Sequence, residues 1–330
     1  MLNAPGSPTG RTLVPRALLA LLAAAALLVT SCGTEDDPTT SAGDEEPVGA
    51  CEGDVEGVTV SGQPGAEPTI EFDEPLSVER TQCTVLTEGS GDAAAEGDTL
   101  LIEFTFVNGR TGDTYFTTYE DVGPYGVVVN DEMLRGVRKG LLGAMPGARV
   151  VAVVAPEDAY GLQNGDPDAG LEADDTLVFV AEVLAINPRA EGTPVAPVTG
   201  LPTVELADDG TPTINVPAGD PPAELVAQPL IEGSGAVVQA GQNVTAHYTG
   251  ILWATGQQFD STWGSIPIVL PMQSPDVIAG WVQGLVGQKV GSQVLLIIPP
   301  KDGYGDAGAP NSGIGPTDTL VFVIDILAAE

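Results

Sequence analysis

Apolar and polar positions alternate most clearly in the C-terminal third of the chain. Val244, Ala246 and Tyr248 are separated by polar neighbours, the period-two pattern of a half-buried strand. Ile266 to Leu270 and Val294 to Ile298 are short apolar runs of strand length, and Thr319 to Ala328 is a longer run rich in β-branched and aromatic residues. Between the first two runs, Ser274-Pro275-Asp276 offers an N-cap hydroxyl followed by proline at the first helical position. Val277, Ile278, Trp281 and Leu285 then share one helical face, and Gly287 stops the helix. One short helix packed on an antiparallel sheet predicts an α+β domain.

The pattern occurs twice. Pro68-Thr69-Ile70 is matched by Pro212-Thr213-Ile214, and Glu88-Gly89-Ser90-Gly91 by Glu232-Gly233-Ser234-Gly235, both at an offset of 144. The same offset carries Thr105 to Thr249, Gly136 to Gly280 and Tyr160-Gly161 to Tyr304-Gly305. Near the end it becomes 143, where Asp175-Thr176-Leu177-Val178-Phe179 matches Asp318-Thr319-Leu320-Val321-Phe322. Two tandem copies are therefore expected, over residues 58–188 and 202–330, the second with its core at about 224–330. The Pro- and Gly-containing stretch 189–201 reads as a linker.

A chain of 330 residues has room for two such domains, and its 42 glycines and 28 prolines favour turns and short strands over long helices. Eleven Lys and Arg oppose 46 Asp and Glu, for a net charge of −35. A polyanion of this size is repelled by phosphate backbones and anionic lipid headgroups, so nucleic-acid binding is excluded. With a single histidine, His247, and three scattered cysteines, the count also excludes histidine-rich metal sites and zinc ribbons, and no cofactor is expected. The acid-rich stretch from Asp166 to Asp175 lacks the alternating ligand spacing of a calcium loop and reads as solvated.

The N-terminus carries Arg11 and Arg16, an apolar run from Ala17 to Val29 and then Thr30-Ser31-Cys32, the layout of a secretory signal. Val29-Thr30-Ser31-Cys32 resembles the bacterial lipobox, which makes residues 1–32 a lipoprotein signal peptide and Cys32 the acylated first mature residue. The alternative is an ordinary signal with a chance cysteine. Residues 33–57, acidic and without a base, read as a disordered tether. The expected location is extracytoplasmic, on the cell membrane through a lipid anchor alone. Cys51 and Cys83 then remain as an even pair for a possible disulfide.

His247-Tyr248-Thr249-Gly250, Phe259-Asp260-Ser261, Val277-Ile278-Ala279-Gly280-Trp281, Ile298-Pro299-Pro300, Gly303-Tyr304-Gly305 and Thr319-Leu320-Val321-Phe322 follow one another at characteristic spacing. In that order they resemble the signature segments of the FKBP-type peptidyl-prolyl cis-trans isomerases. The resemblance implies a twisted antiparallel sheet wrapped around one short helix in each copy, with a ligand pocket between helix and sheet. It implies that Tyr248, Phe259, Val277, Ile278, Trp281 and Phe322 line a proline pocket with Trp281 as its floor. Asp260 and the Tyr304 hydroxyl would lie near the substrate carbonyls, and the Ile278 backbone N–H would donate to the ligand. Proline-containing secreted or envelope polypeptides are the implied partners, with macrolides as possible ligands.

Several of these residues also have plainer readings. Val277 and Leu285 suit a helix core, and Asp260 suits a turn after a strand. His247 is expected to face solvent or its strand neighbours, since no second histidine exists for a relay. Ile268 stands where the family usually has a pocket aromatic. Gly313-Ile314-Gly315-Pro316 replaces the usual hydrophobic-Pro-Pro run over the pocket, with Ile314 as the expected apolar contact. In the first copy the offset puts Phe104, Tyr115, Phe116 and Val137 where the second has Tyr248, Phe259, Asp260 and Trp281. The first copy is therefore expected to be weak or silent. Arg135, Arg138 and Lys139 on its helix read as a solvated basic face, or as a dock for an acidic partner. The competing reading of the whole chain is a non-catalytic polypeptide-binding module or scaffold.

Overall fold

The computed structural model describes residues 55–330 apart from 121, 168, 169, 274 and 276. The signal segment, most of the tether, Cys32, Cys51 and the expected N-cap Ser274 lie outside the described residues. The first copy is built from β1 (Val58–Ser61), β2 (Thr69–Phe72), β3 (Gln82–Thr87), β4 (Thr99–Asn108), β5 (Thr114–Thr117), β6 (Tyr125–Val128), α1 (Arg135–Leu141), β7 (Arg149–Val154) and β8 (Leu177–Ile186). After β9 (Thr193–Pro194), the second copy repeats the order with β10 (Thr203–Leu206), β11 (Pro212–Asn215), β12 (Val226–Glu232), β13 (Asn243–Leu252), β14 (Gln258–Ser261) and β15 (Ile268–Pro271). It closes with α2 (Ala279–Leu285), β16 (Gln293–Ile298) and β17 (Leu320–Ala329).

Both copies are antiparallel sheets carrying one short helix, the α+β class expected. The first sheet runs β3-β7-β8-β4-β5, with β6 on the far half of β4. The second runs β9-β12-β16-β17-β13-β14, with β15 on the far half of β13. Their long central strands, β4 and β13, are ten residues each and are buried along nearly their whole length on both faces, not on one. The alternation in β13 is real, but its polar positions are covered as well. Thr245 meets the Pro124 carbonyl, His247 meets Trp263 and Thr262, and Thr249 meets Ser261. Farther along the same face the hairpin β10–β11 packs Val204 and Ile214, with Leu201 and Leu230, on Ile251, Leu295, Ile297, Val321 and Val323. In the first copy β1–β2 covers Val107, Val151, Val178 and Val180 in the same way. Each sheet thus has an inner face under its helix and an outer face under a hairpin.

The helices sit close to their sheets because they present glycine to them. A Cβ at Gly280 would lie 2.5 Å from Ile298 Cγ2, and at Gly284 the same distance from Leu296 Cδ2. Helix α2 also starts later than the apolar spacing suggests. Val277 and Ile278 precede it, and Ile278 is its extended N-cap residue (φ −60°, ψ 144°) without a side-chain cap. β-branched residues lose side-chain freedom inside a helix, so both sit more easily in this extended approach.

The stretch 189–201 is more than a linker. Thr193 and Pro194 pair with Glu232 and Ile231, adding β9 to the edge of the second sheet. Ala190 N–H donates to Asp325 Oδ2 at 2.7 Å, and Gln293 Nε2 donates to Asp325 Oδ1 at 2.8 Å. The repeat-equivalent pair in the first copy, Arg149 and Glu182, instead clamps the β1–β2 turn. Arg149 donates to the carbonyls of Gly62, Gln63 and Ala66 while forming an ion pair with Glu182, which accepts from Gly65 N–H at 2.8 Å.

The basic face expected on α1 is spent internally. Lys139 reaches Asp158 at 2.6 Å, Arg135 reaches it at 3.6 Å, and Arg138 reaches Glu96 at 2.9 Å. Arg135 nevertheless stays half-exposed, sharing the one Asp158 carboxylate with Lys139. The acidic loop that ends at Asp175 is likewise not simply solvated. Asp175 is buried and accepts from Arg110 Nε at 2.6 Å, Asn108 Nδ2 at 2.8 Å and Glu172 N–H at 2.9 Å. Burial pushes the Asp175 carboxyl up, but these donors, Arg110 foremost, hold it below its ordinary value. Cys83 is buried in β3 and disulfide-bonded, and its partner lies outside the described residues.

Candidate functional site

The inner face of the second sheet and α2 enclose a cavity of about 530 Å³. Strand pairing sets its walls. Tyr248 and Gly250 of β13 point inward in alternation with Thr249, and Gly250 pairs with Phe322 of β17, which in turn pairs with Leu296 of β16. Phe259 and Asp260 come from β14, Ile268 and Leu270 from β15, Val277 and Ile278 from the approach to α2, and Trp281 from its first turn. Gly303 and Tyr304 close the remaining side.

The rings meet edge to face. Trp281 lies 5.2 Å from Tyr248 and 5.3 Å from Phe322, with interplanar angles of 87° and 81°. Phe259 meets Phe322 at 5.5 Å and 88°. This geometry suits the quadrupoles of the rings and fixes the walls without closing the space between them. Tyr248, Trp281 and Phe322 are buried, Phe259 is half-buried, and Tyr304 is 41% exposed at the mouth.

Two polar features break the apolar lining. Tyr248 Oη donates to Asp260 Oδ2, and the other oxygen of Asp260 accepts from Ser261 N–H at 2.9 Å. Burial, reinforced by the Asp260 carboxylate, pushes the Tyr248 phenol well above its ordinary value, so it stays a donor across the physiological range. Burial and the same carboxylate also raise Tyr304. The second feature is the Ile278 N–H, which donates to no acceptor among the described residues.

The structure thus brings together Tyr248, Phe259, Asp260, Ile268, Val277, Ile278, Trp281, Tyr304 and Phe322. It does not place Ile314 among them. Ile314 is 2% exposed and belongs to the core, where its N–H and carbonyl both pair with Ala309, so the loop turns it inward and not over the cavity. His247 faces neither solvent nor the cavity, because strand alternation turns it to the outer face. Its ring stacks on Trp263 at 4.7 Å, Nδ1 shares a hydrogen bond with Thr262 Oγ1 at 3.0 Å, and burial lowers its pKa to about 4.

One determinant of the site is absent from the residues singled out in the sequence. A Cβ at Gly250 would fall 2.7 Å from ring atoms of both Phe259 and Phe322. The offset of 144 puts Phe106 at the equivalent point of the first copy. There the Phe106 ring is buried 4.9 Å from Phe179 and 6.2 Å from Tyr115, the counterparts of Phe322 and Phe259. Val137, in place of the tryptophan floor, is fully buried in the same core. The offset alone was signal enough to find the Gly250/Phe106 difference.

The family model described as FKBP-type peptidyl-prolyl cis-trans isomerase matches residues 91–184 and again 235–327, more than half of the chain. The chain is 44% identical over 118 residues to a "FK506-binding protein" of Streptomyces anulatus, covering 36% of this chain and 95% of that one. It is 40% identical over 121 residues to a "Probable FK506-binding protein" of Corynebacterium glutamicum, covering 36% and 98%. Among solved structures, a peptidyl-prolyl cis-trans isomerase of Pseudomonas syringae pv. tomato is 28% identical over 40% of this chain and 83% of its own, with a TM-score of 0.30. With two tandem matches and an aromatic cavity between helix and sheet, the chain belongs to the FKBP-type peptidyl-prolyl cis-trans isomerase family.

Proposed function

We propose that the second copy carries the prolyl isomerase activity, on secreted or envelope polypeptides, and that the first copy is weak or inactive. The observation behind this reading is the contrast between Gly250, where there is no side chain beside the cavity, and Phe106, whose buried ring packs on the counterparts of Phe322 and Phe259. Rotation about an X-Pro bond is slow because amide resonance must be broken, at a barrier of roughly 18–20 kcal/mol. The twisted amide has lost resonance and much of its charge separation. An apolar, water-excluding pocket therefore favours it over the planar ground state, and no nucleophile or base is needed.

In this reading the proline ring enters against Trp281 between Tyr248, Phe259 and Phe322. The free Ile278 N–H takes a substrate carbonyl. Asp260, oriented by Tyr248, and the Tyr304 hydroxyl face the carbonyl that rotates. Val277, Ile268 and Leu270 exclude water from one side. Both FK506-binding relatives by name support a macrolide as a second ligand of the same cavity.

Anchoring belongs to the same proposal. Cys32 is the lipidated residue, the acidic stretch after it is the tether, and Cys51 is the partner of Cys83, which fits an oxidising extracytoplasmic setting. Among the described residues no helix is long and apolar enough to cross a membrane.

The test is magnetisation-transfer NMR of cis/trans exchange in short X-Pro peptides, using the full chain and its Asp260→Ala and Trp281→Ala variants. Acceleration by the parent that falls at least tenfold in either folded variant is the expected result. Undiminished exchange in both would move the activity to the first copy. Absence of acceleration by the folded parent would favour the polypeptide-binding reading, for which Ile268 in place of an aromatic is the supporting observation.

A further inference from the structure

We propose that the pocket of the second copy selects X-Pro bonds flanked by lysine or arginine; this rests on the assignment of the isomerase site to that copy. Residues 202–330 contain thirteen Asp and Glu and only two bases, Lys289 and Lys301. Both bases are spent in ion pairs, Lys289 with Glu232 at 2.8 Å and Lys301 with Glu224 at 2.5 Å. No Lys or Arg lines the cavity, whereas Asp260 does. Asp302 precedes Gly303 of the lining, and Asp306 is exposed two residues beyond Tyr304.

The first copy supplies an internal control. At the same offset of 144, Phe116 stands for Asp260 and Leu162 for Asp306. Asp158 stands for Asp302, but it is buried and neutralised by Lys139 and Arg135. In the second copy the positions of those two bases are Gln283 and Ala279. Asp260 in the lining and the exposed Asp306 just beyond Tyr304 at the mouth thus carry no paired base among the described residues, whereas Phe116 and Leu162 leave the first copy without either charge. A proline in the cavity leaves its neighbours in the chain running across this mouth. Cations there are attracted, and carboxylates repelled, through water over distances comparable to the Debye length.

The experiment measures exchange catalysed by the full chain on three peptide series with Lys, Glu or Leu before proline, in 10 mM and 1 M NaCl. The expected kcat/KM ratio of Lys to Glu is about tenfold at low salt and approaches unity at high salt, as the Debye length shrinks from about 30 Å to about 3 Å. Lys301→Gln, which leaves Glu224 uncompensated, should raise the low-salt ratio, and Glu224→Gln, which frees Lys301, should lower it. Acceleration of the Leu series with equal Lys and Glu values at low salt overturns this inference and leaves the isomerase assignment standing. If no series is accelerated, the assignment fails, and peptide Kd values decide the selectivity: equal values for Lys and Glu peptides overturn it too.

Discussion

Gly250 and Phe106 occupy one position of the central strand in two copies of one domain, and each pairs across the sheet with a phenylalanine, Phe322 and Phe179. In the second copy a cavity lies between sheet and helix; in the first the Phe106 ring packs against Phe179 and Tyr115 at that level. Gly250→Phe should therefore close the cavity and reduce peptide exchange by roughly a hundredfold or more. The variant also crowds a packed core, at a cost of about 1–3 kcal/mol, so urea denaturation should accompany the NMR assay. Retained activity in a folded Gly250→Phe chain would remove the cavity from the mechanism.

The converse, Phe106→Gly, empties part of the first core. Loss of a buried phenylalanine should destabilise that copy by about 3–5 kcal/mol, read as a lower first transition in calorimetry. If the collapse is incomplete, a new cavity opens there.

Tyr248→Phe keeps the ring but removes the donor to Asp260. A hydrogen bond to a charged group contributes roughly 1.5–3 kcal/mol, so kcat/KM should fall at least about tenfold while the ring contacts persist. Unchanged kinetics would mean that the orientation of Asp260 does not matter to the reaction.

His247 gives the second copy a defined response to acid. Its pKa is about 4 when folded, against about 6.5 when unfolded, so the unfolded chain binds the extra proton between those values. Stability should be fully present above about pH 6.5 and fall as the pH drops toward 4, by about 3 kcal/mol from this group. Urea titrations of the parent and His247→Gln across that window should show a shallower pH slope in the variant. An imidazole seen by NMR to titrate near 6.5 in the native chain would contradict it.

Arg149→Ala leaves Glu182 buried beside a turn that has lost its donors. Breaking such a pair typically costs about 3–5 kcal/mol, and the loss should appear in the unfolding of the first copy alone.

Much of the fold and of the site is legible in the sequence. The repeat, the fold class and the residues gathered around the cavity are written in residue types at fixed spacing, because ring walls and glycine contacts tolerate few substitutes. The hairpins β1–β2 and β10–β11 are not, since four-residue strands carry too short an alternation to distinguish from loop. Alternation in β13 likewise reveals only one face, and nothing in the spacing tells that Trp263 stacks on His247. An apolar residue between glycines, such as Ile314, does not reveal which way its loop turns. The apolar spacing starts helix α2 too early, because Val277 and Ile278 satisfy a helical period while their branched side chains favour an extended backbone.

The bond from Ala190 N–H to Asp325 has a consequence for how the chain matures. Its two ends lie 135 residues apart, and Asp325 belongs to the final strand. A chain emerging from its N-terminus can complete the first sheet at β8 while the segment after it still has nothing to hold. β9 can pair with β12 as soon as that strand is laid down, but Ala190 finds its acceptor only with β17. The segment joining the copies is thus fastened in two stages, to β12 first and to the final strand last. The Asp325 carboxylate, shared between Ala190 and Gln293, completes that attachment.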